Sequence, residues 1–197
     1  MRKVYVYMML SIDGYFEGRD HDISWHNVDE ELNEFNVDLL SDADFFIFGR
    51  RTYQLMESFW PQASNDPTMS ESERKIAHLL NHTPKIVYSK TLDGVQEQAN
   101  WKNVELKNTF DPEEIRRLKA MPGKSMWVGG SDLAVTFLKS GLIDECIFTV
   151  SPVVIGAGTP IFKGIDRRHK FELLGSRTFK SGNVQHRYRP IYAPTTS

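Results

Sequence analysis

Two segments of the sequence join a strand pattern that ends in glycine directly to a helix pattern. They are residues 48–53 and residues 128–132. In open parallel sheets, ligands bind beyond the carboxyl ends of the strands. A helix N-terminus there offers unpaired N–H groups and partial positive charge, and glycine lets an anion approach the backbone. One such junction is also typical of an ordinary tight connection, but two in one sheet predict a site for the two phosphates of a dinucleotide.

Strand and helix patterns alternate over the first two-thirds of the chain, and strand patterns dominate the rest. Strands are predicted at residues 3–11, 44–48, 85–89, 125–128, 145–151, 170–180 and 183–189. Helices are predicted at residues 29–40, from 50, from a capping box at Ser70, from Asp111-Pro112, and at 131–140. The order predicts one α/β domain over residues 1–197, with a mostly parallel central sheet, an antiparallel edge and helices on both faces.

Composition excludes several classes of partner. A net charge of −2 gives no electrostatic reason to expect nucleic acid or an anionic membrane. The apolar run at residues 4–10 is too short to span a bilayer and lacks a signal-peptide layout, so we expect a cytoplasmic protein. Cys146 is the only cysteine, and its apolar neighbours predict a buried, inert thiol rather than a nucleophile. The sequence contains no cluster of Cys and His residues that would predict a metal site.

Cationic side chains follow two of the predicted strand ends. Arg50 and Arg51 come directly after Gly49, and a guanidinium group suits bidentate contact with phosphate. Ser89 and Lys90 follow the third predicted strand, where a hydroxyl and an ammonium group suit an isolated phosphate monoester such as the 2′-phosphate of NADPH. A solvated loop is the alternative for this last pair.

Several motifs resemble one superfamily, and they occur in its order along nearly the whole chain. The run Gly-Arg-Arg-Thr-Tyr at residues 49–53 resembles the Gly-Arg-x-Thr-aromatic signature of dihydrofolate reductases, and Gly129-Gly130 resembles their second nucleotide-binding turn. Residues 11–14, 129–145 and 151–158 resemble the C-terminal reductase domain of the bifunctional riboflavin-biosynthesis deaminase/reductase. The resemblance implies the three-layer dihydrofolate reductase-like fold.

The same resemblance implies NADPH as cofactor and assigns residues to it. It places Gly49, Arg50, Arg51 and Thr52 at the adenosine side and one phosphate, Ser89 and Lys90 at the 2′-phosphate, and Gly129, Gly130, Ser131, Asp132 and Leu133 at the diphosphate and nicotinamide ribose. The end of the first strand would lie beside the nicotinamide. Asp13 is a candidate catalytic acid there, with the capping of its own turn as the alternative. Trp25 is a candidate for stacking on a flat ring, with a core position as the alternative.

Departures from the relatives leave the substrate open. Counting back from the glycine motif, the helix carboxylate of dihydrofolate reductases falls on Asn33, although Asp29, Glu30, Glu31 and Glu34 are close. The favoured hypothesis is an NADPH-dependent reductase of a small pyrimidine- or pterin-like heterocycle, similar to the 5-amino-6-(5-phosphoribosylamino)uracil reductase of riboflavin biosynthesis. The alternatives are a dihydrofolate reductase and a nucleotide-binding protein of this fold without turnover.

Three structural expectations follow from the resemblance. The turns at Gly49 and Gly129 should open onto one cleft, and a cis peptide should join Gly129 to Gly130. A homodimer is expected, with residues 59–61 or the apolar strand at residues 147–150 as contact surface.

Overall fold

Ten strands and five α-helices form within residues 1–95 and 101–193, the ranges that the computed structural model describes. The strands are β1 (Lys3–Ser11), β2 (Tyr15–Glu17), β3 (Ala43–Gly49), β4 (Lys85–Tyr88), β5 (Val104–Lys107), β6 (Ser125–Gly129), β7 (Glu145–Ser151), β8 (Thr159–Pro160), β9 (Lys170–Thr178) and β10 (Val184–Ile191). The helices are α1 (Glu30–Ser41), α2 (Arg50–Ala63), α3 (Glu71–His82), α4 (Pro112–Ala120) and α5 (Ser131–Lys139).

Eight strands form one sheet in the order β5-β4-β3-β6-β1-β7-β10-β9. The first six run parallel, and β10 and β9 add an antiparallel hairpin at the edge. The short strands β2 and β8 pair separately. The predicted mostly parallel sheet with an antiparallel edge is therefore confirmed. Because the six strands share one direction, their carboxyl ends lie along a single edge of the sheet.

The two faces of the sheet carry separate hydrophobic clusters because side chains alternate along each strand. Val4, Val6 and Met8 of β1 pack with α4 and α5 on one face. On the other face, Tyr5 and Trp127 belong to the cluster that includes residues of α1, α2 and α3. Helices thus cover both faces, as the sequence predicts. No helix in the described ranges combines the length and apolar character needed to cross a membrane.

The helices begin in two different ways. Three of them begin at a residue whose side chain accepts a backbone N–H: Asp29 caps α1, Ser70 caps α3 through the predicted capping box, and Asp111 caps α4. The helices α2 and α5 begin at Gly49 and Gly130, which supply no side-chain cap. Among the five α-helices of the described ranges, α2 and α5 are therefore the two that begin without a side-chain cap.

Most predicted elements are confirmed, and the differences have physical causes. The sequence pattern missed β2, β5 and β8, which have two to four residues and too few apolar positions to show an alternation. The apolar stretch at residues 147–150 is wrong as a contact surface, because it lies in β7 and is hydrogen-bonded to β1 and β10. Cys146 is buried as predicted, and burial raises the pKa of its thiol to about 12.

Candidate functional site

The two glycine turns lie side by side. Their strands β3 and β6 are neighbours in the sheet, with Phe48 paired to Gly129. Thr52, in the first turn of α2, reaches across to the second turn, where a Cβ atom at residue 130 would lie 2.6 Å from Thr52 Oγ1. Leu133 closes the space from the α5 side, with its Cγ 3.9 Å from the position of a Cβ at Gly49. The two turns are therefore neighbours, as expected; that they open onto one ligand cleft stays a prediction, and we call this place the glycine cleft.

The backbone at Gly130 needs glycine. Its φ is +98° and its ψ is 140°, a conformation that residues with a side chain rarely adopt. This conformation turns the chain from the end of β6 into α5. The expectation of a cis peptide between Gly129 and Gly130 is wrong, because every peptide bond within residues 1–95 and 101–193 is trans.

The walls of the glycine cleft supply hydrogen-bond donors. The first intrahelical bond of α5 runs from the Ala134 N–H to the Gly130 carbonyl, so the N–H groups of residues 131–133 have no partner inside the helix. The N–H groups in the first turn of α2 likewise have no partner inside their helix. The positive ends of two helix dipoles meet here. The cleft is therefore suited to an anionic group.

Cationic side chains lie beside the glycine turn at Gly49. Arg50 and Arg51 are exposed, and neither forms an ion pair or a side-chain hydrogen bond within the described ranges. Because Gly49 pairs with Tyr88, the residues after β4 begin next to those of α2. Lys90 lies there and is exposed. The side chains expected to contact an isolated phosphate monoester thus follow two adjacent strands, about 4.8 Å apart.

Ser89 and Asp132 have local roles at this edge. The Ser89 hydroxyl accepts the N–H groups of Thr91 at 3.2 Å and Leu92 at 3.0 Å, so it shapes the loop that carries Lys90. Its own proton is still available for donation. Asp132 is exposed in the first turn of α5, where a carboxylate stabilises the helix end.

Asp13 holds two loops together. Its carboxylate accepts the N–H of Gly156 at 2.8 Å and that of Ile155 at 3.2 Å, which ties the end of β1 to the loop after β7. The side-chain hydrogen bond from Ser11 and these backbone bonds lower the pKa of Asp13. The carboxyl group is therefore ionised at neutral pH, and a catalytic role for it stays a prediction.

Trp25 lies outside both core clusters. It is half-buried on the segment between β2 and α1, where its indole N–H donates to the Asp22 carbonyl at 3.1 Å. The edge of its ring meets His26 at a centroid distance of 4.5 Å. The core alternative is thus not supported, and stacking on a ligand ring stays a prediction.

Two of the acids near Asn33 fasten the tip of the β9–β10 hairpin. Asp29 accepts the Ser181 N–H, and Glu31 accepts the Lys180 N–H and pairs with Arg177, each at 3.0 Å. The Lys180 N–H and Arg177 lower the pKa of Glu31. These two carboxylates are committed to the hairpin, so they do not replace the missing carboxylate at Asn33.

A group of polar side chains that the sequence analysis did not single out lies between α1 and the sheet. It consists of Tyr7, Asn36, Trp127, Thr149 and Gln185, and we call it the polar cluster. The Thr149 hydroxyl donates to the Tyr7 hydroxyl at 3.5 Å, the Asn36 side chain lies close to the same hydroxyl, and burial raises the pKa of Tyr7 to about 12. Its ring lies 6.2 Å from that of Trp127. The signal available in the sequence was Thr149, a polar residue inside an otherwise apolar strand pattern.

Comparisons with known proteins identify the family of the chain. Residues 2–185 match the family model of the RibD C-terminal domain. The chain is 31% identical over 185 residues to the uncharacterized protein YyaP of Bacillus subtilis, with 93% of each chain covered.

Two solved structures share the fold. A putative riboflavin biosynthesis protein from Shewanella sp. PV-4 superposes with a TM-score of 0.72 at 24% identity, covering 96% of this chain and 99% of that one. The dihydrofolate reductase of Enterococcus faecalis, solved with NADP(H), gives 0.61 at 15% identity, with 96% and 97% covered. The fold is thus dihydrofolate reductase-like, and the chain belongs to the RibD C-terminal domain family, a family of reductases.

Proposed function

We propose that the chain is an NADPH-dependent reductase of a small pyrimidine- or pterin-like heterocycle, of the type that reduces 5-amino-6-(5-phosphoribosylamino)uracil in riboflavin biosynthesis. One observation carries the cofactor part: the two helices without side-chain caps begin side by side at the glycine cleft, next to unpaired arginines. An anionic ligand completes such helix ends. Membership of a reductase family supports the reaction class.

The fit to a diphosphate rests on space as well as charge. Glycine at residue 130 avoids a Cβ that would lie 2.6 Å from Thr52 Oγ1, and in the proposal this tight turn presents its backbone N–H groups to a phosphate. In the proposal, Gly129, Gly130, Ser131, Asp132 and Leu133 hold the diphosphate and the nicotinamide ribose from the α5 side. Gly49, Arg51 and Thr52 hold the other side from α2.

The choice of NADPH over NADH is assigned to the neighbouring strand ends. Arg50 and Lys90 are exposed and form no ion pair with any residue that the structure describes, and they provide two positive charges for a monoester that carries close to two negative charges. Ser89 positions the loop of Lys90 and donates its proton to the same group in the proposal.

Hydride transfer is the cofactor's own chemistry, so the chain has to orient two rings and exclude water. The end of β1, from Met9 to Asp13, borders the nicotinamide in the proposal. Asp13 positions the loop after β7 at this end of the cleft, and Trp25 is assigned to the substrate ring.

A dihydrofolate reductase is the less favoured alternative, because Asn33 stands where a carboxylate is expected and Asp29 and Glu31 are bonded to the hairpin. We further propose a cytoplasmic homodimer. Phe59, which is 48% exposed on α2, is the part of the predicted contact surface that stays available, since Pro61 is buried.

Turnover is tested by following NADPH oxidation at 340 nm with a panel of aminopyrimidines, pterins and dihydrofolate. We expect oxidation above the substrate-free rate with an aminopyrimidine carrying a ribosylamino group, and little with dihydrofolate. Matched reactions with NADH should be slower at equal concentration. NADPH binding without oxidation across the panel would instead support the nucleotide-binding protein without turnover.

A further inference from the structure

The C-terminal part of α3 carries two histidines that are separated by one helical turn. His78 and His82 are both exposed, and their ring centroids lie 4.3 Å apart with an interplanar angle of 31°. Side chains four residues apart on a helix lie on the same face, one above the other. The spacing therefore presents two imidazole rings to the same region of solvent.

A hydrogen bond determines which nitrogen of His82 is free. Its Nδ1 atom lies 2.8 Å from the backbone carbonyl oxygen of His78. Because a carbonyl oxygen only accepts, Nδ1 carries the proton, and Nε2 of the neutral ring then carries a lone pair. Histidines that bind metals almost always donate their other ring N–H to a carbonyl, a carboxylate or water, which orients the ring. His82 therefore has the arrangement of an Nε2 ligand.

The charges around the two histidines favour a bound cation. The C-terminal end of a helix carries partial negative charge. The other basic side chains of α3 are bonded toward the start of the helix: Lys75 pairs with Glu71 at 2.6 Å, and Arg74 donates to the Met69 carbonyl. Their positive charge is thus directed away from the end of the helix, where His82 lies.

We propose that His78 and His82 form a surface site for a divalent first-row transition ion such as Ni²⁺, Cu²⁺ or Zn²⁺. The two imidazoles take neighbouring coordination positions, and water takes the others. Imidazole nitrogen suits these ions, whereas Mg²⁺ and Ca²⁺ prefer oxygen ligands. Among the residues that the structure describes, no group of three or more His, Cys, Asp or Glu side chains could hold a metal. The site is therefore an open, exchangeable one rather than a closed structural site.

The two-histidine site lies away from the glycine cleft. The helix α3 ends just before β4 begins at Lys85, so His82 lies at the edge formed by the amino ends of the parallel strands, and the glycine turns follow the carboxyl ends. Lys85 already holds this helix end, because its ammonium donates to the Asn81 carbonyl at 3.2 Å and the Thr83 carbonyl at 2.8 Å. An ion that links two turns of the folded helix would add to the stability of the same region.

The test is isothermal titration of the untagged full chain with NiCl₂, after treatment with EDTA and exchange into metal-free buffer without NADPH. We expect one ion to bind per chain, and Tm should rise by about 3–5 °C at ten times the dissociation constant. MgCl₂ should produce neither effect. In His78→Gln and in His82→Gln, Ni²⁺ affinity should fall at least about tenfold, because the second ligand no longer binds the same ion.

His21→Gln is the matched control, because His21 is another exposed histidine and lies 3.0 Å from Glu17, a possible second ligand at the same spacing. It should leave Ni²⁺ affinity unchanged. Arg74→His combined with His82→Gln moves the pair of ligands one turn earlier on α3 and should restore most of the affinity. Equal Ni²⁺ affinity in wild type and His82→Gln overturns the proposal, as does a loss of binding in His21→Gln.

Discussion

Replacing Gly130 with alanine should reduce NADPH affinity about 100-fold, equivalent to about 2.7 kcal/mol. The added Cβ would lie 2.6 Å from Thr52 Oγ1 and would force a φ of +98° to change. The N–H groups at the start of α5 would then turn away from the diphosphate, and each charge-assisted hydrogen bond is worth about 1.5–3 kcal/mol. Intrinsic fluorescence during NADPH titration measures the loss. Unfolding should become easier by about 1–3 kcal/mol from the backbone strain alone.

Gly141→Ala separates strain from binding. Gly141 follows the other end of α5 with a φ of +68°, and nothing lies within 4 Å of the position of its Cβ. This variant should lose stability for the same conformational reason and bind NADPH like wild type. Normal NADPH affinity in Gly130→Ala would mean that the second turn is an ordinary connection.

The double variant Arg50→Ala, Lys90→Ala should lose NADPH affinity by about 100-fold and NADH affinity by less than threefold. Each cation forms one charge-assisted contact with the 2′-phosphate in the proposal, and about tenfold per contact is a conservative value. Isothermal titration with both cofactors gives the ratio. The selectivity for NADPH should also weaken as salt rises, because both cations are exposed.

Arg168→Ala, Lys170→Ala removes the same charge from the opposite edge of the sheet, where both residues are exposed. That control should leave both affinities unchanged. Equal losses of NADPH and NADH in the Arg50 and Lys90 variant would show that these side chains do not recognise the 2′-phosphate.

The glycine cleft was predictable because each of its parts is local in sequence. A strand end, a glycine and a helix start occupy six neighbouring residues at Gly49, and the parallel sheet brings the second copy beside it. The backbone of Gly130 was not predictable from the motif, which implied a cis peptide where the described chain has a trans bond with a φ of +98°.

The polar cluster and the hairpin contacts could not be predicted in the same way. Gln185 meets Thr149 only through the register of β10 on β7, and Asp29 meets Ser181 across 152 residues of sequence. A one-residue change of register would move Gln185 to the other face. Residues joined only by such long-range pairing carry no shared motif, so their chemistry became visible only in the fold.

The central claim is that the glycine cleft holds the diphosphate of NADPH. Backbone amide NMR during NADPH titration tests it most directly, because the N–H groups that would donate to the phosphates are Arg51, Thr52, Ser131, Asp132 and Leu133. We expect these amides to show the largest shift changes, saturating with a single affinity, while the amides of α3 and α4 stay in place. Saturable shifts centred elsewhere, with these five amides unchanged, would contradict the account.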